Sequence, residues 1–271
     1  MSPPATLQKI SVAAPTLPWY HPVAREVEVF KNCAESGLPL MLKGPTGCGK
    51  SRLVEHMAAR LGRPLITVAC HDETSAVDLV GRYLVEGGQT RWQDGPVTRA
   101  VREGAILYLD EIAEARPDVV VVIHPLTDHR RRLLVERHNE EIEAAPGFLL
   151  VISFNPGYQK GLKELRPSTR QRFVGLTFTY PTPAVELEIL QGETQIGSAD
   201  GKKLVALAAK LRGLEQLGLA EVPSTRLLVN AARLILSGLP PRLACEVALV
   251  EPLTDDADLA LGIRDLVNLV F

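Results

Sequence analysis

The stretch GPTGCGKS at residues 44–51 constrains this sequence most, because three glycines and a lysine stand between an apolar run and an amphipathic segment. The run at residues 38–44 reads as a buried strand, and residues 50–62 place apolar side chains on one helical face. A strand, a glycine-rich loop and a helix in this order are typical of a phosphate-binding loop. Glycines let backbone N–H groups approach a phosphate, and the helix N-terminus attracts it. The stretch therefore predicts a nucleotide site.

The loop and the first turn of its helix supply the predicted nucleotide contacts. Lys50 is expected to reach the β- and γ-phosphates, and the Ser51 hydroxyl is expected to bind Mg²⁺. A plain glycine turn with a surface lysine is the alternative, which the strand before and the helix after it disfavour. The predicted nucleotide-binding residues are Gly44, Pro45, Thr46, Gly47, Cys48, Gly49, Lys50, Ser51 and Arg52.

A second apolar strand ends in two carboxylates, in the stretch AILYLDEIAEA at residues 105–115. Open α/β sheets bind ligands at the carboxyl ends of their strands. We expect Asp110 to hold Mg²⁺ through water and Glu111 to polarise the attacking water. The alternative is that both residues simply begin a helix, where acidic side chains are favoured. The second carboxylate favours hydrolysis over phosphoryl transfer to an acceptor.

Other polar residues follow predicted strands or begin helices. Asn155 ends the apolar run at 148–154 and is a candidate for orienting water or contacting the γ-phosphate, although Asn-Pro-Gly is also an ordinary turn. Arg226 stands in the first turn of a helix, where the dipole disfavours a cation, so phosphate is its expected partner. Arg166, Arg170 and Arg172 precede another strand, either as a solvated face or as residues that reach a neighbouring subunit's nucleotide.

The distribution of apolar runs predicts an α/β fold with a parallel five-stranded sheet. Its strands are expected at residues 38–44, 64–70, 105–110, 148–155 and 174–180, after a helix at 22–36. Two hairpin inserts are expected at residues 81–92, around Gly87-Gly88, and at 131–144, around His138-Asn139. Helical periodicity replaces the strand pattern after Pro183. The predicted division is an extended arm at 1–20, an α/β domain at 21–184 and a small helical domain at 185–271.

Composition excludes several classes of protein. The 271 residues carry a net charge of −2, so the chain lacks the excess of basic residues that would indicate nucleic-acid binding. The four cysteines are widely separated, which argues against a disulfide framework or a zinc knuckle. No apolar run is long enough to span a bilayer, and the N-terminus does not resemble a signal peptide. These features predict a soluble cytosolic protein.

Together these segments resemble the AAA+ ATPases, with the motifs in that family's order. Walker A lies at 44–51, Walker B at 109–111 and sensor 1 at Asn155, followed by an arginine finger and by sensor 2 at Arg226. The two hairpins lie where the MoxR branch carries its helix-2 and pre-sensor-1 inserts. Stretches such as DGPVTRAVREGAILYLDE and NPGYQKGLKELRPSTRQRF look like the CbbQ/NorQ subfamily, and most like CbbQ.

The resemblance implies an Mg²⁺-dependent ATP hydrolase that assembles as a homo-hexameric ring with ATP at subunit boundaries. It further implies a CbbO-like partner with a von Willebrand factor A domain, and Rubisco as the client from which inhibitory sugar phosphates are released. The NorQ branch, which matures nitric oxide reductase, is the alternative. The implied location is the bacterial cytoplasm, with association to carboxysomes as a further expectation.

The resemblance also assigns individual residues. Position before Phe173 makes Arg172 the expected arginine finger, with Arg170 as runner-up. The inserts would line the pore face, so candidate client contacts are Tyr83, Leu84, Trp92, Leu133 and Leu134, unless these side chains only pack within the hairpins.

Two other classes of function remain as alternatives. A nucleotide switch or small-molecule kinase would act as a monomer, and Arg172 and Arg226 would have no role in its activity. A DNA-linked ATPase would need a basic face, whereas this chain shows only scattered arginines such as those at 130–132.

Overall fold

A five-stranded parallel sheet lies at the centre of the α/β part of the chain. The computed structural model describes residues 17–156, 165–213 and 221–271, so most of the predicted arm lies outside the described residues. The described residues form nine strands: β1 (Leu40–Lys43), β2 (Leu65–Ala69), β3 (Gly81–Glu86), β4 (Gln89–Asp94), β5 (Ile106–Asp110), β6 (Arg132–Val135), β7 (Glu140–Glu143), β8 (Leu149–Phe154) and β9 (Val174–Thr177).

The central sheet has the strand order β2-β5-β8-β1-β9. All five strands predicted from the apolar runs belong to it, with slightly shorter bounds, and the predicted parallel sheet is confirmed. Apolar side chains cover both of its faces. Leu107 and Leu109 pack with helices on one face, whereas Ile106 and Tyr108 face the other. This burial on both faces explains why the strands read as continuous apolar runs rather than as alternating ones.

Helices surround the sheet and form the whole described C-terminal part. The helices are α1 (Glu26–Ser36), α2 (Lys50–Leu61), α3 (Ala76–Val80), α4 (Pro96–Glu103), α5 (Pro117–Ile123), α6 (Pro167–Arg170), α7 (Pro183–Thr194), α8 (Ser198–Gly213), α9 (Thr225–Leu236), α10 (Pro241–Cys245), α11 (Glu251–Leu253) and α12 (Ala257–Val270). A π turn, Glu246–Val250, connects α10 to α11. Within the residues described, no helix is both long and apolar enough to cross a bilayer.

The first helix begins later than the sequence predicted. The Glu26 carboxylate accepts hydrogen bonds from the backbone N–H groups of Val23 (2.7 Å) and Ala24 (2.8 Å), which holds the preceding turn outside the helix. The expected end at Gly37 is confirmed, because this glycine adopts φ 66° and its N–H caps Cys33.

The two hairpins, β3–β4 and β6–β7, form as predicted and are separate from the central sheet. They contact each other: the Tyr83 hydroxyl of β3 lies 3.1 Å from Nδ1 of His138, which lies in the turn between β6 and β7, and the His138 ring stacks on Trp92 of β4 with centroids 4.9 Å apart. Tyr83 and Leu134 are exposed. Leu133 is fully buried, so its expected contact with a client is wrong: strand alternation turns it into the core.

A separate apolar cluster fills the C-terminal helices. It joins α7, α8, α9 and α12 through residues such as Leu190, Leu207, Leu228 and Ile263. The described residues after 184 contain no strand, as the helical periodicity predicted. Helix α7 begins at Pro183, close to the predicted boundary at 184–185. The division into arm, α/β domain and helical lid stays a proposal.

Candidate active site

A cleft of about 630 Å³ opens where the carboxyl ends of β1, β5 and β8 meet the helical lid. This volume lies within the range of about 300–1,000 Å³ that ligand pockets occupy. Three groups of residues line it. They are the glycine-rich loop, the strand tips with Asp110, Glu111, Ser153 and Asn155, and a wall formed by Trp19, Tyr20, His21, Arg226, Asn230 and Arg233. The cleft therefore brings together residues of four predicted motifs: the glycine-rich loop, the Asp110-Glu111 pair, Asn155 and Arg226.

The glycine-rich loop is tightly enclosed by its neighbours. A Cβ atom on Gly44 would lie 2.5 Å from the Phe178 carbonyl oxygen, and one on Gly47 would lie 2.6 Å from the Ser224 side chain. Gly47 also adopts φ 70°, a conformation that side chains disfavour. Packing alone therefore requires glycine at positions 44 and 47.

Lys50 begins helix α2 and points back over the loop. Its Nζ donates hydrogen bonds to the carbonyl oxygens of Gly44 (2.7 Å) and Pro45 (2.8 Å). Burial lowers the pKa of its ammonium group, and the nearby Arg226 acts in the same direction. Two cations, Lys50 and Arg226, thus line one cleft. Within the described part of the chain Arg226 forms no ion pair, which leaves this side of the cleft suited to an anion.

Oxygen atoms converge at the tip of β5. The Ser51 hydroxyl donates to Asp110 Oδ2 at 3.1 Å, and the Tyr108 hydroxyl donates to Oδ1 at 2.8 Å. The buried Ser153 hydroxyl also donates to Oδ1. A hydroxyl beside a carboxylate fits Mg²⁺, which accepts a few protein oxygens and completes its shell with water and phosphate. The described residues contain no cluster of three or more His, Cys, Asp or Glu side chains, so any Mg²⁺ would depend on Ser51, Asp110 and the substrate.

Glu111 and Asn155 are placed at neighbouring strand tips. Glu111 is exposed and adopts φ 55°, in the left-handed region that is strained for a residue with a side chain, and its N–H donates to Ser153 Oγ at 3.3 Å. Asn155 Nδ2 lies 3.4 Å from Thr46 Oγ1, whereas its Oδ1 is buried without a hydrogen-bond partner. Such an orphaned oxygen indicates a missing donor, such as water or ligand.

Arg226 lies near the start of α9, as predicted. Ser224 is the N-cap, although its side chain makes no capping hydrogen bond. The Thr225 hydroxyl instead donates to the buried Glu186 carboxylate at 2.7 Å.

Arg52 lines the cleft, but its guanidinium is already engaged. It pairs with Glu193 of α7 at 3.0 Å and with Glu55 at 3.4 Å. This geometry joins α2 to the helical lid. The predicted nucleotide contact of Arg52 stays a prediction.

The arginines around α6 do not line this cleft. Arg166, Arg170 and Arg172 are exposed. Beneath them, His124 Nε2 lies 3.1 Å from the Thr169 hydroxyl, and burial together with Arg172 lowers the pKa of His124. These arginines are therefore accessible from solvent and lie outside the lining of the cleft.

Several residues that line the cleft or support it from behind were not predicted from the sequence. Tyr108 stands two residues before Asp110, on the same face of β5, so strand alternation could have indicated it. Ser153 lies inside a run that reads only as core. Trp19, Tyr20 and His21 come from the proline-rich N-terminal region, and no local signal links them to the cleft.

The phosphate-binding loop, the acidic strand tip and the five-stranded parallel sheet define an AAA+ P-loop ATPase. A family model described as AAA domain (dynein-related subfamily) matches residues 39–173, and one described as CbbQ/NirQ/NorQ C-terminal matches residues 186–270. The chain belongs to the CbbQ/NirQ/NorQ subfamily of the MoxR AAA+ ATPases. Membership of this family implies nucleotide binding and ATP hydrolysis.

Three relatives cover nearly the whole chain. Protein NorQ of Paracoccus denitrificans is 59% identical over 94% of both chains. Protein CbbQ of Hydrogenophilus thermoluteolus is 54% identical over 94% of this chain and 95% of its own. Denitrification regulatory protein NirQ of Stutzerimonas stutzeri is 52% identical over 96% and 95%.

Solved structures share the fold at low identity. A point mutant of RuvB from Thermotoga maritima superposes with a TM-score of 0.55 at 17% identity, covering 91% of this chain and 69% of its own. An ATPase from Cytophaga hutchinsonii gives a TM-score of 0.51 at 16% identity, covering 92% and 89%.

Proposed function

We propose that this protein is an ATP-driven motor that remodels a client protein, and that it works as a homo-hexameric ring with a von Willebrand factor A domain partner. One observation carries the catalytic part of the proposal. Lys50 begins α2, Asp110 and Glu111 lie at the end of β5, Asn155 follows β8, and all four line one cleft.

The residues of the cleft divide the work of hydrolysis. Lys50 binds the β- and γ-phosphates once its bonds to the loop carbonyls are exchanged for phosphate oxygens. Glu111 polarises the attacking water and accepts its proton, and the unpaired Asn155 Oδ1 holds that water in place. Ser51 and Asp110 would hold Mg²⁺, which neutralises the charge of the phosphates when bound. Arg226 adds a cation from the lid.

A neighbouring subunit completes the site in this proposal. Arg172, with Arg170 as the alternative, is exposed and does not line its own cleft. An arginine from one protomer can therefore reach the nucleotide of the next and stabilise the charge that develops on the γ-phosphate. The rival monomeric switch would have no use for an arginine in this position.

Glu111→Gln is the most direct test of the catalytic assignment. The amide cannot accept a proton, so we expect ATP to bind normally while turnover falls about 100-fold. Single-turnover hydrolysis and direct binding of labelled ATP separate the two effects. Glu86→Gln, at the exposed end of β3, is the matched control and should behave like the parent protein. Parental turnover by Glu111→Gln would contradict the role of Glu111.

We propose nitric oxide reductase as the client. The relatives give the earlier expectation of Rubisco no specific support, since NorQ is 59% and CbbQ is 54% identical to this chain. Rubisco stays the second candidate because the CbbQ relative also covers nearly the full chain.

Reconstitution distinguishes the two clients. The purified ATPase, its von Willebrand partner and ATP with Mg²⁺ are combined with immature nitric oxide reductase or with Rubisco blocked by a sugar phosphate. We expect reductase activity to appear and Rubisco to stay blocked. The reverse result would move the assignment to Rubisco, and strong stimulation of hydrolysis by DNA at low salt would support the DNA-linked alternative instead.

A further inference from the structure

We propose that Arg212 is a positioning residue that holds Arg226 against the phosphate-binding loop, and that Tyr180 links it to that loop. Arg212 lies in the last turn of α8 and does not line the nucleotide cleft. Its contacts run to the start of α9 on one side and towards the loop on the other. The proposal rests on the function proposed above, because it assigns Arg226 to the nucleotide.

The first step is a buried ion pair. The Arg212 guanidinium donates from Nη1 and Nη2 to the two carboxylate oxygens of Glu186, at 2.8 and 2.7 Å. The Glu186 side chain is 1% exposed and that of Arg212 is 16% exposed. A two-pronged pair of this kind fixes direction as well as distance, which a lysine cannot do.

The second step connects this pair to α9. Arg212 Nε donates to the Pro223 carbonyl oxygen at 2.9 Å, and the Thr225 hydroxyl donates to Glu186 at 2.7 Å. Pro223 and Thr225 flank Ser224, the N-cap of α9, and Arg226 follows directly. The ion pair therefore holds the backbone on both sides of the residue that begins the helix.

The third step reaches the phosphate-binding loop. The Tyr180 ring lies over the Arg212 guanidinium, 4.4 Å from its Cζ, and the Tyr180 hydroxyl donates to the Thr46 carbonyl oxygen at 3.2 Å. The loop also meets α9 directly, because Gly47 packs against the Ser224 side chain. Loop and helix start are thus joined by two independent contacts, and a shift of either one is transmitted to Arg226.

The test is a double-mutant cycle on ATP turnover. Arg212→Lys keeps the charge but loses the fork, and we expect turnover to fall about tenfold because Arg226 is displaced. If Arg212 acts through Arg226, the same change made in Arg226→Ala causes no further loss. Tyr180→Phe keeps the ring and removes the bond to Thr46, so a loss of about threefold is expected. Arg264→Lys, which alters a lid ion pair with Glu246 and Glu251, is the control and should leave turnover unchanged.

The outcomes separate this inference from the proposed function. A parent protein that neither binds nor hydrolyses ATP would overturn the proposed function. An active parent protein with parental turnover in Arg212→Lys, or with an equal loss in the Arg226→Ala background, would overturn the positioning role alone. Thermal unfolding of each variant, measured beside that of Arg264→Lys, shows whether a loss of turnover comes from unfolding. The positioning role would also be overturned if Arg212→Lys lost turnover only because it unfolds while the folded Tyr180→Phe kept parental turnover.

Discussion

The two sides of the nucleotide cleft are built in different ways. On the sheet side, Ser51, Tyr108, Asp110 and Ser153 bond to one another at the ends of buried strands. On the lid side, Trp19 comes from the N-terminal region, whereas Arg226 and Arg233 both lie on α9; Trp19 packs on Gly192, and Arg233 pairs with Glu193 at 3.5 Å. The sheet side is thus preorganised, whereas the lid side depends on how segments that are distant in the sequence pack together. Changes on the sheet side should therefore abolish phosphate binding or hydrolysis, whereas changes on the lid side should alter ATP affinity more mildly.

Lys50→Ala gives the largest expected effect on ATP binding. It removes the half-buried ammonium from the sheet side, and the loss of its charge-assisted bonds to phosphate should weaken ATP binding by about 100-fold. Direct titration with a fluorescent ATP analogue measures this. Lys43→Ala, seven residues earlier at the end of β1, is the control. Binding at the parental affinity would mean that the cleft does not hold the nucleotide as we propose.

Arg172→Ala is expected to act on turnover alone. An arginine from a neighbouring subunit stabilises only the transition state, so turnover should fall roughly 10³-fold while ATP still binds. Arg170→Ala is the matched variant, and a larger loss there would move the finger to Arg170.

Mixing variants tests whether Arg172 works across subunits. Arg172→Ala has intact strand tips, and Glu111→Gln has an intact arginine, so rings assembled from both contain complete sites at some boundaries. We expect partial recovery of turnover in the mixture. Turnover that stays at the level of the separate variants would contradict a shared site.

The difference between the two sides also explains what could be predicted from the sequence. The five strands, both hairpins and the loop of Gly44–Ser51 are encoded locally, by apolar runs and by glycines at fixed spacing. Trp19 and Glu186 carry no such signal, because their position follows from packing between distant segments. The prediction for Leu133 was wrong for a different reason. Its place in a hairpin was predicted correctly, but the face of the strand that it occupies was not.

Trp19→Ala tests the lid side. The indole packs on Gly192 of α7, where a Cβ atom would lie 2.1 Å from it, and it also lines the cleft. An aromatic wall suits a nucleobase, and loss of stacking should weaken ATP binding about tenfold. Inorganic triphosphate, which has no base, should bind equally well to parent and variant. Trp92→Ala, on β4 of the first hairpin, is the control. An equal loss for both ligands would show that Trp19 supports the phosphate loop instead.

Arg52→Ala is expected to have the smallest effect, and it decides whether Arg52 belongs to the sheet side or to the lid side. Its pairs with Glu193 and Glu55 are partly exposed, at 42% for Arg52 and 15% and 49% for the two carboxylates. Exposed pairs contribute about 0.2–1 kcal/mol, so ATP affinity should change by no more than about fivefold. Glu193→Gln loosens the same contact from the lid and should give a change of similar size. If Arg52→Ala instead weakened ATP binding as much as Lys50→Ala does, while Glu193→Gln did not, Arg52 would bind phosphate directly, as its place in the first turn of α2 led us to expect.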